Sequence, residues 1–502
     1  INQVKARINQ GGDMFWNWRS GPTYEVPKNS GRNSLFTASV WTGGVDNTGQ
    51  LKASALRYKS SGESYWPGPF NLNTGLPQSD ICSYYDKLYK VNKSDVETFV
   101  KWFNTGKQDQ LNGTNNQAKL FPNYQIPEII LEWPAHGRNY SPYFEDQYLA
   151  PFFDNNDDGI YNPLDGDYPK FAFDGMEDCN TPGANYLYGD QTIWRVFNDK
   201  GNVNTEIGGL SPGIEYRVQS YGYNTANEIA YFTFHNYQII NRSTYTLNDF
   251  HVGGMVDSDL GNAQDDYVGC DVERGIGYCY NGDNNDESNG GSIGYGSNPP
   301  AIGVDFFQGP FQDPDQKDNK ISNDPFEWEN NNANPYTKNT IGFDDNVIDN
   351  ERLGLTNFLY ISGDGGTVRA FPKNGIQVHY FLKSKWRDGT QLVYGGSGYI
   401  GDASADKDTP TRHMYPDSSD TANWSSFGKK PNGPWSEVTA GNTPFDRRFC
   451  YSSGPITLLP GAINSFTIGF PWARASSGGP EESLQKMKEA DDIAQKMFDN
   501  CF

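Results

Sequence analysis

The chain has no run of about eighteen apolar residues, the least that spans a bilayer as a helix, so no membrane insertion is expected. Positive charge is scarce: 40 Lys and Arg face 62 Asp and Glu, leaving a net charge of -22 and a pI near 4.6. Nucleic acid and anionic membrane would repel such a surface, which argues against both as partners and favours divalent cations. Short catalytic motifs are missing. There is no HExxH, and the single GxGxxG match, at 396–401, runs into "DASADKDTPT", which cannot supply the helix a dinucleotide site needs. The five histidines, His136, His235, His251, His379 and His413, are scattered, with His235 and His251 in strand patterns that suit a structural role. The six cysteines form no CxxC pair and have no His at zinc spacing, so disulfides in an oxidising compartment are expected. Cys270 and Cys279 lie close enough in a hairpin pattern to pair locally.

What is present suits a folded, mainly β chain. Hydrophobic residues make up 35%, enough for a large core in 502 residues. "GIEYRVQSYGY", "EIAYFTFHNYQIIN", "TLNDFHVGGMV", "IQVHYFLKS" and "AINSFTIGFPWA" alternate apolar with polar between turn residues, as strands of an antiparallel β-sandwich do. "SLFTASVWTGGVDNTGQLKASALRY" reads as a hairpin. Helices are expected at 94–106, with Ser94 and Glu97 as a capping box and Gly106 as the stop, and at about 480–500, with Leu484, Met487, Ala490, Ala494 and Met497 in one stripe. A division into 1–185, a β-rich region with one short helix, and 186–502, a large sandwich with long loops and a C-terminal helix, follows from this pattern.

The densest signal is "FFDNNDDGIYNPLDGDYPKF". Counted from Asp154, side-chain oxygens fall at Asp154, Asn156 and Asp158, Gly159 permits a sharp turn, Ile160 offers its carbonyl, and Asn162 and Asp165 follow. These are the spacings of the twelve-residue calcium loop, with Asp in place of the usual bidentate Glu at its end, a form that resembles the dockerin loop. A second acidic knot, "VDSDLGNAQDDYVGCD", carries Asp257, Asp259, Asp265, Asp266 and Asp271 and reads as a loop-built calcium site. "DPDQKD", with Asp313, Asp315 and Asp318, is a sparser pattern of the same kind. Glu132 and His136 in "EWPAHG" are the nearest approach to an acid–base pair.

Blocks such as "INQVKARINQGGDMFW", "LAPFFDNNDDGIYNPLDGDYP", "DQTIWRVFNDKGN", "PPAIGVDFFQGP" and "INSFTIGFPWARA" together resemble a family of large surface proteins of the Bacteroidota exported by the type IX secretion system, mostly without assigned activity. The resemblance runs over nearly the whole chain. It implies export through the type IX secretion machinery and an extracellular or outer-membrane surface location; a start at Ile1 fits a cleaved leader, and the family's C-terminal sorting domain is not found before Phe502. It also gives meaning to "DTA", with Thr421 as an acceptor of the sugar that Bacteroidota add to Asp-Ser/Thr-small-apolar triplets. The expected function is a calcium-stabilised module for adhesion, gliding or recognition of a surface glycan or protein, binding rather than catalytic. A polysaccharide-active enzyme using a carboxylate pair and a structural subunit of a surface assembly are the alternatives.

Overall fold

The computed structural model describes residues 1–17, 19–59, 62–136, 148–170, 187, 189–335, 337, 340–363 and 366–500. The expected hairpin forms: β1, Thr37–Asp46, turns back antiparallel into β2, Leu51–Ala55. Asp46 closes its turn by accepting the backbone N–H groups of Thr48 and Gln50 at 2.9 and 3.0 Å, and Gly49 supplies the positive φ of 82°. The longer strands that follow are β3, Tyr89–Asn92; β4, Gln191–Asn198; β5, Ile214–Gly222; β6, Thr233–Asn241; and β7, Leu247–Asp257. Next come β8, Asp266–Asp271; β9, Ile276–Asn281; β10, Ala301–Gln308; β11, Asn357–Ile361; β12, Arg448–Leu458; and β13, Ile463–Phe470.

These strands make two antiparallel sheets. The larger runs β8-β9-β10-β13-β6-β5-β4 and ends on Trp66–Pro67, with β3 also on β4. The smaller runs from Asp13–Met14 through β1-β7-β12-β11, with β2 on β1. Residues from both sides of position 185 therefore share both sheets: β1 pairs with β7, and β3 with β4.

One core fills the space between the sheets, with Val40, Val252, Met255 and Phe449 from one side and Tyr216, Ile239, Phe306 and Ile468 from the other. Contacts cross it directly: the Phe306 and Tyr451 rings are 5.7 Å apart, and the Tyr216 and Thr42 hydroxyls hydrogen-bond at 3.0 Å. The sandwich is thus the two-layer solution for strands with one apolar face each.

Alternation does not mean that the polar face meets water. In β5 the polar positions Glu215, Arg217 and Gln219 are buried too. Residues from the 66–168 region lie against this side of the sheet: the Phe70 N–H donates to Glu215 at 2.9 Å, and a second core gathers Ile81, Tyr85, Val96, Phe99 and Trp133 around Trp194 and Val196. A buried carboxylate there requires partners. Arg217 and Arg242 reach Glu215 at 2.8 and 3.2 Å, and against the burial that opposes it they hold its carboxyl below the ordinary range.

Three of the helices bear on the frame. Helix α1 spans Lys93–Asn112 and ends at Gly113 in the left-handed region. Gly106 does not stop it but lies inside it, where a Cβ would meet the Gln117 amide at 2.4 Å. The capping box does not form either; the helix begins after Asn92, whose side chain donates to Asp95 at 2.9 Å. Helix α2, Gly375–Leu382, replaces the strand expected from "IQVHYFLKS". Asn374 caps it, accepting the Gln377 N–H at 3.0 Å, and Val378, Phe381 and Leu382 are buried where the helix packs on β1, β2 and β7. Helix α3, Gly479–Asp499, lays Met487, Ala490 and Ala494 on the larger sheet as expected. Among the described residues, no helix is long and apolar enough to cross a membrane.

Candidate functional site

The loop from Asp154 to Asp167 folds around its own side chains. Asp154 Oδ2 accepts the Gly159 N–H at 2.7 Å, and its Oδ1 accepts those of Asn156 and Asp158 at 3.3 Å each. Asp158 accepts the Ile160 N–H at 2.7 Å and the Asn156 amide at 2.9 Å, and Asn162 donates to Asp165 at 2.6 Å. Asp157 and Gly159 take positive φ values of 58° and 75°, which tightens the turn. The residue that clamps the loop was not among the expected ligands. Asp167 is fully buried and accepts the N–H groups of Asn155 and Asn162 at 2.9 and 2.8 Å, tying the loop's two ends together. His136 serves the same loop by accepting the Tyr161 N–H at 3.0 Å, while Glu132 faces Lys87 at 3.8 Å.

Among the described residues, two groups of three acidic or imidazole side chains bring one ligand atom each within 4.8 Å of one another: Asp257, Asp259 and Asp446, and Asp249, His251 and His379. The carboxylates of the 154–165 loop do not form such a group.

The second acidic knot separates into three places. Asp271 ends β8 in ion pairs with Arg274 at 3.0 Å and Lys488 at 3.1 Å, which fasten helix α3 to the sheet. Asp265 and Asp266 gather near Asp286; burial, followed by the Asp286 carboxylate, pushes Asp265 up to about 7. Asp257, the last residue of β7, and Asp259 meet Asp446, which the sequence reading did not single out because it stands 187 positions further on, just before β12. The pairing of β7 with β12 sets Asp257 opposite Arg448 and makes the meeting possible.

At this third place Arg448 donates to Asp446 at 2.7 Å and stands 3.3 Å from Asp257 Oδ2, which also accepts the Tyr58 hydroxyl at 2.7 Å. Asp257 Oδ1 and Asp446 Oδ1 are buried and have no hydrogen-bond partner. Three carboxyl groups share one guanidinium, an excess of acid over base. Burial, followed by the Asp446 carboxylate, pushes Asp257 up to about 6, and burial with Asp257 and Asp446 raises Asp259 well above the ordinary range. Such a site is relieved either by protons or by a hard divalent cation, which oxygen ligands suit. Asp259 and Asp446 are half-buried, so solvent can complete a coordination shell.

Tyr58 connects this group to a large cavity in the surface. A cavity of 840 Å³ is lined by Trp16, Tyr58, Arg7, Arg19, Asp13 and Asp86, among others. Trp16 is held by stacking on Phe36 at 5.0 Å and by donating its indole N–H to the Tyr58 carbonyl at 3.1 Å, and Phe371 packs on Tyr58 at 5.6 Å. Half-buried aromatic rings beside charged groups of both signs can stack on a flat ring and hydrogen-bond its substituents.

The remaining expected sites fall elsewhere. Cys270 and Cys279 are not joined: both are free, buried thiols, and among the described residues Cys82 and Cys450 are free as well. Cys270 stands opposite Gly277 and Cys279 opposite Val268, a diagonal pair, and diagonal neighbours at roughly 7–8 Å lie beyond disulfide reach. Cys179 and Cys501 lie outside the described residues. Thr421 is exposed in a turn, whereas the Asp420 carboxylate points inward and accepts the Trp424 and Ser425 N–H groups at 2.8 Å each. Asp318 accepts the Asn346 N–H at 2.7 Å, joining the "DPDQKD" loop to a second acidic loop.

A scan of protein-family models finds no match to this chain. A search of curated proteins finds none either.

Proposed function

We propose that this chain is a calcium-stabilised recognition module of the bacterial surface that holds a glycan in the cavity beside Trp16 and Tyr58. The observation that carries the reading is the double engagement of Tyr58, whose ring lines the cavity while its hydroxyl donates to Asp257 of the acidic group. A cation on Asp257, Asp259 and Asp446 would balance their excess charge and set the position of Tyr58, so occupancy and recognition are linked. Trp16 and Tyr58 would supply the stacking face, and Arg7, Arg19 and Asp86 the polar contacts to sugar hydroxyls. The loop of Asp154, Asn156, Asp158, Ile160, Asn162 and Asp165 is a second place for calcium, supported by its spacing alone. Export by the type IX secretion system and a surface or secreted location rest on the sequence blocks that resemble that family of Bacteroidota proteins.

The test is a glycan array read with calcium and with chelator. Retention of a glycan that falls in chelator, weakens in Tyr58→Phe and is lost in Trp16→Ala is the expected result. Retention indifferent to Trp16→Ala would refute the assignment of the cavity. A second reading, a polysaccharide-active enzyme, is favoured by Asp13 and Asp86 lining the same cavity, with Asp13 Oδ1 buried, without a hydrogen bond and 3.9 Å from the Lys59 ammonium. Product release from a polysaccharide panel that vanishes in Asp13→Asn would establish it in place of simple binding.

A further inference from the structure

The second convergent group lies at the opposite end of β7 and shares no residue with the acidic group or the cavity. Asp249 sits where the register of β7 slips against both β1 and β12, and its φ of 48° is in the left-handed region, rare for a residue with a side chain. The slip turns the Asp249 carbonyl and carboxylate toward His251, two residues on in the same strand, and toward His379 of helix α2. His251 Nδ1 is 3.9 Å from Asp249 Oδ1, and His379 Nε2 is 3.6 Å from Asp249 Oδ2. The same two nitrogens donate to the Asp249 carbonyl at 3.0 and 3.3 Å. Space is kept for the rings: a Cβ at Gly454 would stand 2.7 Å from His251 Cδ2, and one at Gly43 would stand 3.4 Å from His379 Cδ2.

We infer that Asp249, His251 and His379 form a site for a first-row transition-metal dication of the zinc type, with Lys383 as the cation that occupies the carboxylate in its absence. Metal bonds of about 2.0–2.1 Å set in a tetrahedron place donor atoms roughly 3.3 Å apart. The donors lie within 4.8 Å of one another, with His251 and His379 at 3.9 and 3.6 Å from the carboxylate, so the side chains close by at most about 1.5 Å to take the ion. Two imidazoles and one carboxylate suit zinc and its neighbours, whereas calcium and magnesium prefer oxygen alone. Lys383 extends from the end of helix α2, one turn beyond His379, and its ammonium contacts Asp249 Oδ2. With its side chain 30% exposed and that of Asp249 32% exposed, the ammonium can swing to solvent as the ion enters.

The experiment is zinc titration of the whole chain against a chromophoric chelator in excess calcium, with cobalt as a spectroscopic substitute. One zinc per chain, and visible cobalt bands of a low-coordinate nitrogen–oxygen site, are expected. His379→Gln and Asp249→Asn should each weaken zinc binding about tenfold or more, and Lys383→Met should tighten it by removing the competing ammonium. A purely structural role for the group predicts the reverse pattern: Lys383→Met would change stability and leave zinc affinity alone. No stoichiometric zinc on either the native chain or Lys383→Met, or equal affinity in His379→Gln and Asp249→Asn, would overturn the inference. If His379→Gln does not fold, the partly exposed Lys383→Met still decides the matter.

Discussion

Converting Asp257 to Asn isolates the electrostatic cost stored at the acidic group. Burial and the Asp446 carboxylate move Asp257 from 3.8 to about 6 in the folded chain, and 1.36 kcal/mol per pH unit makes this about 3 kcal/mol. Because the folded value is the higher one, protonated Asp257 favours the folded state. That contribution is complete below about pH 4 and lost as the pH rises through about 6. In chelator, therefore, the unfolding free energy of the native chain should fall over this window by about 3 kcal/mol more than that of Asp257→Asn. Distant buried acids, such as Asp199, raised to about 7 by burial, contribute to the slope of both proteins and cancel in the difference, whereas Asp259, raised partly by Asp257, is relieved in the variant and adds to the difference in the same sense. Calcium at a hundredfold excess over the Kd of this group would stabilise the native chain by about 2.7 kcal/mol more than the variant at neutral pH. The assay is denaturant unfolding at pH 4, 5, 6 and 7, each with calcium and with chelator. Parallel pH profiles for the two proteins in chelator would refute the claim that Asp257 carries this cost, and a calcium effect of equal size in both would refute its role as a ligand.

Three further outcomes follow from the geometry. Asp167→Asn leaves one of the two clamped N–H groups of the 154–167 loop without an acceptor and should cost about 1–3 kcal/mol; unfolding within 0.5 kcal/mol of the native chain, about the scatter of an innocuous surface change, would show that the clamp does not matter. Gly253→Ala places a Cβ 2.0 Å from the Tyr451 carbonyl oxygen of the neighbouring strand, a clash with backbone that cannot swing away, and should cost at least about 1–3 kcal/mol; an unchanged melting temperature would contradict the close pairing of β7 with β12. Thr421, exposed beside the inward-turned Asp420, should carry a sugar mass in protein purified from its native source, absent in Thr421→Ala; a native mass equal to the bare chain would sink the glycosylation reading.

Much of the sandwich was legible because its signal is local. Period-two alternation and turn residues depend only on neighbours, so β5, β6, β7 and β13 stand where the pattern places them, and the apolar stripe of helix α3 reads at its own period. Local signals also mislead where the far side of the fold decides. "IQVHYFLKS" has the β-branched and aromatic residues of a strand, yet it forms helix α2 because a cap at Asn374 and a buried face on the smaller sheet outweigh propensity. That misreading also hid His379 from His251. The 154–165 loop announced itself because its oxygens come from consecutive residues, although Asp167, which closes it, was read only as composition. The sites built across the chain were invisible for the opposite reason. Asp446 joins Asp257 and Asp259 only through the β7–β12 pairing, and Tyr58 reaches Asp257 from 199 positions away. A sequence determines which residues can carry charge, stack or turn. Which of them share one desolvated space depends on strand register and sheet packing, and the free energy of a buried charge depends on that space.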